Sequence, residues 1–119
     1  MQKFNFSYDK ENDDLFLYNS KSKSRGSVEL GNLIFDYSSK KELVGLQMLN
    51  ASKTIKNLVG KDMITIKKLM NNLKECKIDI KTENNLMIIK IYLLSDTAEI
   101  SPVISIPRII ETSPALAYA

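Results

Sequence analysis

The chain has no histidine, one cysteine and two arginines in 119 residues. Without histidine it lacks the usual general base near neutral pH, the commonest metal ligand, and every serine–histidine or cysteine–histidine nucleophile arrangement. The single cysteine, Cys76, excludes an internal disulfide and a multi-cysteine zinc site. It reads as a small buried hydrophobe, with a reactive thiol as the alternative. The two arginines, Arg25 and Arg108, leave little of the forked guanidinium chemistry on which base-edge and phosphate readout leans. Long apolar runs are missing too. The most apolar stretch, Leu86–Leu94, is broken by Lys90 and falls far short of the roughly 20 residues a bilayer span needs. Near the start Phe4, Phe6 and Tyr8 are separated by polar residues, so no signal peptide is expected and the protein reads as soluble and cytoplasmic. These absences point away from an enzyme. No catalytic, cofactor-binding or metal-ligating residue is assigned, and no cofactor is expected.

What is present is a globular composition. The hydrophobic content is 44%, too high for a disordered tail. A chain of this length reads as a single domain, residues 1–119, burying roughly two thirds of its unfolded surface.

Strand periodicity opens the chain. Lys3–Tyr8 alternates with period two, placing Phe4, Phe6 and Tyr8 on one face. The acidic stretch Asp9–Asp14 has the look of a calcium loop, but from Asp9 the sixth and twelfth positions are Asp14 and Ser20, where glycine and glutamate are required. A solvated hairpin turn is the reading that remains. Leu15–Tyr18 is apolar on both parities and should sit centrally in a sheet. Asn19–Gly26 is a polar loop without an apolar anchor.

Val28–Ser52 then carries two strand patterns into a helix start. Gly31-Asn32 marks a bulge or short turn. Leu33, Phe35 and Tyr37 alternate with Ile34 and Asp36, Ser38–Glu42 is a turn, and Val44, Leu46 and Met48 resume the period. Gly45, lacking a side chain, implies a close backbone approach or a bend. Asn50 or Ser52 is positioned to accept from the free amides of the helix that follows.

The Tyr8–Asp14 opening, the strand Leu15–Tyr18, the strand Ile34-Phe35-Asp36-Tyr37, and Leu43-Val44-Gly45-Leu46 leading to Leu49-Asn50-Ala51-Ser52 resemble the archaeal and bacterial family known as domain of unknown function 2283. The resemblance covers residues 4–58. It implies a compact set of antiparallel strands followed by a helix, and it carries over no catalytic residue. Some members resemble the partner half of toxin–antitoxin pairs. The loop Asn19–Gly26 is longer and more basic here than is usual in that family.

The second half reads from residues alone. Ala51–Val59 is a short helix with Ile55, Leu58 and Val59 on one side, ended by Gly60. Asp62 caps the next, on which Ile66, Leu69, Met70 and Leu73 fall at the spacing of an amphipathic stripe. Cys76–Thr82 switches to period two, and Glu83-Asn84-Asn85 turns into Leu86–Leu94. On that strand Met87, Ile89, Ile91 and Leu93 form one face and Leu86, Ile88, Tyr92 and Leu94 the other, so both require cover. Glu99–Ile106 is a third strand, which Pro102 and Pro107 confine to an edge. Ile109, Ile110 and Pro114–Tyr118 are too apolar for a free tail and are expected to dock, within the chain or across a dimer interface. The fold class is therefore α+β: an antiparallel sheet from the first half, two helices in the middle, and a three-stranded antiparallel meander.

Three functions compete. The first is a non-enzymatic protein-interaction module forming a homo-oligomer, with Leu86, Ile88, Tyr92, Leu94, Ile109, Ile110, Leu116 and Tyr118 as its interface. The second is a nucleic-acid-associated or antitoxin-like regulator. Residues 51–81 hold eight lysines against Asp62, Glu75 and Asp79, a surplus of five that accounts for the net charge of +3. Its contacts would be Lys21, Lys23, Arg25, Lys67, Lys68 and Lys74, although runs of this kind are ordinarily solvated faces. The third is a carboxylate enzyme or ligand binder built on Asp36 and Glu42, or Asp9 and Asp13; against it, these read as edge and turn residues.

Overall fold

The computed structural model describes residues 1–107. Nine strands form one antiparallel sheet: β1 (Gln2–Asp9), β2 (Asp14–Tyr18), β3 (Gly26–Leu30), β4 (Leu33–Tyr37), β5 (Leu43–Met48), β6 (Leu73–Glu83), β7 (Leu86–Ser95), β8 (Glu99–Ile100) and β9 (Val103–Pro107). Helices α1 (Ala51–Val59) and α2 (Met63–Asn71) lie between β5 and β6 in the chain. The strand order is β3-β4-β5-β2-β1-β6-β7-β8, with β9 also on β7. The layout is the expected α+β one.

The turns follow their residues. Gly31, at φ 60, opens a two-residue loop that pairs Leu30 with Leu33, the site where a type II′ turn places glycine. Asn84, at φ 56, does the same between Glu83 and Leu86. Gly60, at φ 72, ends α1 in the left-handed conformation and donates its N–H to the Lys56 carbonyl at 2.8 Å. Pro102 splits the predicted strand Glu99–Ile106 into two pieces, β8 and β9, both on the free side of β7.

The two strand groups are one sheet because β1 serves both. Its first residues, Gln2–Phe4, pair with β6, and its later ones, Asn5–Asp9, pair with β2. β2, between β1 and β5, is central, as its apolar pattern requires.

Register puts Leu17, Phe35 and Leu46 on one face of the first half, and Phe4, Cys76, Leu93 and Ile100 on one face of the second. Together with Ile55 of α1 and Ile66, Leu69 and Met70 of α2 these make one buried cluster. Two helix readings need correction. α1 buries Ala51, Ser52 and Ile55, while Leu58 is exposed: its helical face points away from the sheet. α2 stops at Asn71, so Leu73 is buried as the first residue of β6 and not as the last of the helix stripe. Cys76 accordingly sits within a strand.

Candidate functional site

The family-like half converges on Asp13. This residue holds φ 56 in the β1–β2 turn, a left-handed position that aspartate tolerates. Its carboxylate accepts from the Ser52 N–H at 3.1 Å and from the Ser52 hydroxyl at 2.5 Å, while the Tyr8 hydroxyl donates to its other oxygen at 2.5 Å. The Ala51 N–H donates to the Asp13 carbonyl at 2.7 Å. The cap of α1 thus comes from 39 residues away. The expectation that Asn50 or Ser52 would accept from the helix amides is corrected: Asn50 makes no side-chain cap, and Ser52 acts as a donor. A carboxylate at a helix N-terminus is favoured by the dipole as well as by the free amides. Burial first, and the Asp13 carboxylate second, push the Tyr8 phenol above its ordinary range. Ser52 is fully buried, so this serine–aspartate contact clamps helix to hairpin and presents no nucleophile.

The remaining carboxylate candidates stand apart. Asp9 accepts from the Asn12 side chain first, then from the Asn12 and Glu11 amides, bonds that hold it below the usual carboxylate range. Asp36 lies opposite Gly45 and accepts from the Ser27 hydroxyl at 2.5 Å. A Cβ on Gly45 would meet Asp36 Oδ2 at 2.7 Å, so the close approach inferred from that glycine is real, and the atom approached is a carboxylate. Among the described residues no group of three or more acidic, cysteine or histidine side chains is placed to hold a metal. Burial lifts the Cys76 thiol to about 12, which keeps it protonated at neutral pH.

Of the interface candidates, the four on β7 fall on one face. Leu86 is 47% exposed and Ile88, Tyr92 and Leu94 are half-buried. Val103 of β9, opposite Lys90 in the same register, is 45% exposed. The face is not wholly apolar. Lys77 pairs with Tyr92 in register, the Lys90 ammonium stands 5.0 Å over the Tyr92 ring, and Glu75 takes Lys3 at 3.5 Å and Lys77 at 3.9 Å. Ile109, Ile110, Leu116 and Tyr118 lie outside the described residues.

The basic candidates separate by element. Lys67 and Lys68 are exposed on α2, and Lys74 is exposed at the start of β6. Lys23 and Arg25 of the β2–β3 loop line a groove of about 280 Å³ with Ser22, Ser38, Ser39, Lys40 and Glu42, whereas Lys21 lines a separate one with Gln2 and Lys3. Lys40 was not singled out by the sequence; its sole signal there is a place in the polar turn before β5.

An antiparallel sheet with two helices packed into one core defines an α+β protein, in which Tyr8, Asp13 and Ser52 build a helix–hairpin clamp. Residues 5–52 match the family described as "Protein of unknown function (DUF2283)", and the chain belongs to that family. An uncharacterized protein of Methanocaldococcus jannaschii is 32% identical over 80 residues, covering 54% of this chain and 69% of that protein. A Methanosarcina mazei protein named "Putative hypoxanthine phosphoribosyltransferase" is 33% identical over 79 residues, covering 66% of this chain. The chain spans 59% of the length of that relative. No solved structure matches the chain.

Proposed function

We propose that this protein works by contact and not by catalysis, and that its first partner is a second copy of itself, bound through the outer face of β7 and β9. The observation that carries this is the set Leu86, Ile88, Tyr92, Leu94 and Val103, exposed or half-buried on one face of the sheet and interrupted there by Lys90. Aromatic and aliphatic groups on an outward sheet face suit an isologous dimer, and the flanking Lys3–Glu75–Lys77 cluster supplies a polar rim. The absence of histidine, the protonated Cys76 and the buried Ser52 support a non-catalytic role. The transferase name belongs to the Methanosarcina protein. Here the four glycines, at 26, 31, 45 and 60, build neither a G-x-G-x-x-G nor a G-x-x-x-x-G-K phosphate loop.

Light scattering after size exclusion tests the reading. The full chain is expected to run as a dimer at micromolar concentration, and the double variant Ile88→Asp/Tyr92→Ala as a folded monomer with an unchanged circular dichroism spectrum. A full-length chain that is monomeric throughout defeats the proposal.

A second reading, a nucleic-acid-associated regulator, is supported by Lys53, Lys56, Lys67 and Lys68, all exposed on the two helices, which hold no acidic residue. It requires a duplex DNA or RNA complex that weakens steeply with added salt. Failure to bind either nucleic acid at low salt removes it.

A further inference from the structure

We propose that the groove between the β2–β3 loop and the β4–β5 turn is a binding site for a small phosphate monoester. Two loops distant in sequence build it. Residues 19–25 supply Ser22, Lys23 and Arg25; residues 38–42 supply Ser38, Ser39, Lys40 and Glu42. Neither loop is loosely held at these points. The Arg25 N–H donates to the Tyr37 carbonyl at 2.7 Å, which ties the base of the first loop to the end of β4. In the second, the Ser38 N–H donates to the Glu42 carbonyl at 2.9 Å and the Lys41 N–H to the Ser38 carbonyl at 3.0 Å, with Lys41 at φ 65. The Ser38 hydroxyl oxygen accepts from the Lys40 and Glu42 amides, which leaves its own hydrogen to be donated elsewhere. A backbone fixed before the ligand arrives lowers the ordering cost of binding.

Charge selects the ligand. Lys23, Arg25 and Lys40 against Glu42 leave a local surplus of two positive charges at the groove. A phosphate monoester carries about −1.5 to −2 at pH 7 and offers three strong acceptor oxygens, so it matches both the charge and the donors. Among the described residues the ion pairs within 4.0 Å join Met1 to Asp79 and Lys3 and Lys77 to Glu75, and none engages Lys23, Arg25 or Lys40. Glu42 would repel a bare dianion, and it can accept a hydrogen bond from a ligand hydroxyl. That favours the phosphate ester of a polyol or sugar over inorganic phosphate. The volume of about 280 Å³ holds a molecule of that size and is far too small for a duplex. The site lies away from the β7 face and is independent of the oligomer proposal.

The test is a titration of the full isotope-labelled chain followed by amide NMR, with glycerol 3-phosphate, inorganic phosphate and a single-stranded oligonucleotide lacking terminal phosphates as separate probes. Glycerol 3-phosphate is expected to give saturable shifts centred on Ser22, Arg25 and Ser38–Lys40, with inorganic phosphate weaker. The variant Arg25→Gln/Lys40→Gln, both at exposed positions, should weaken the ester by at least about tenfold while keeping the unperturbed spectrum elsewhere. Absence of saturable shifts, shifts that persist in the variant, inorganic phosphate binding as tightly as the ester, or an oligonucleotide that saturates these amides where the ester does not, each overturns the proposal.

Discussion

Asp13 does more for this fold than any motif in the sequence announces. It satisfies the first amides of α1, the Ser52 hydroxyl and the Tyr8 phenol at once. Replacing it with alanine leaves the Ser52 amide and hydroxyl and the half-buried Tyr8 phenol without that carboxylate, while the Ala51 amide keeps its main-chain carbonyl acceptor, and an unsatisfied buried group costs about 1–3 kcal/mol. Asp13→Ala is therefore expected to lower the urea midpoint markedly, and Asp13→Asn, which retains one acceptor oxygen, to lower it less; equal losses would deny the clamp. Tyr37 presents the opposite case. Its hydroxyl is buried and has no partner among the described residues, and burial raises the phenol to about 12. The sign follows from the direction of that shift. The folded state holds the proton that the unfolded chain releases above pH 10, so stability is complete below pH 10 and falls as pH rises through 12. Tyr37→Phe should raise stability at pH 7 by roughly 0.5–2 kcal/mol, since it removes an unpaired hydroxyl from the core. In a pH series of denaturant melts it should also reduce the alkaline loss, leaving the parts due to Tyr8 and Cys76, whose shifts run the same way. A hydroxyl whose removal destabilises the protein would show that it has a partner after all.

At the scale of elements, α2 separates packing from propensity within nine residues. Leu69 is buried against the sheet, and Ile64, one turn and a residue earlier, is 81% exposed. Leu69→Ala should cost about 2–5 kcal/mol through lost burial and the cavity left behind, whereas Ile64→Ser should move the melting midpoint little. Comparable losses at both sites would mean that Ile64 is covered in solution. Gly45 on β5 offers a second element-level test. Gly45→Ala sets a Cβ 2.7 Å from Asp36 Oδ2 and 3.2 Å from its Cβ, so β4 and β5 must part or the Asp36 side chain must shift. An overpacking cost of about 1–3 kcal/mol is expected, restored in part in Gly45→Ala/Asp36→Ala, which removes the clashing carboxylate and keeps the Cβ contact at 3.2 Å. The elements themselves were readable in the chain: both glycine turns, the Asp62 cap, which receives the Thr65 N–H at 2.9 Å, and the alternating strands came from neighbours a few residues apart. Leu58 escaped that logic. Its spacing matched a buried face, but which side of a nine-residue helix meets the sheet is set by how α1 is held at its start.

For the molecule as a whole, β1 is the member that two halves share. Phe4 sits at the exchange point, pairing with Cys76 of β6 just before Asn5 pairs with Tyr18 of β2, and it is buried. Phe4→Ala is expected to cost about 3–5 kcal/mol, and to lower the denaturant slope if the two halves then unfold separately. Unchanged slope and midpoint would mean that β1 is not the joint.

What the sequence determined alone was local and negative: turns, the Gly60 and Asp62 helix ends, strand periods, the α+β content, and the want of imidazole chemistry. These depend on a residue and its near neighbours, or on composition. The tertiary structure decided the rest. It placed β5 beside β2 and β1 between two groups of strands, brought Asp13 to Ser52, and set Lys40 across a groove from Arg25. Each of these is a meeting of segments far apart in the chain. Local periodicity says that a strand has a face to bury, but many partners would satisfy it, and only the joint packing of the strands and helices selects one.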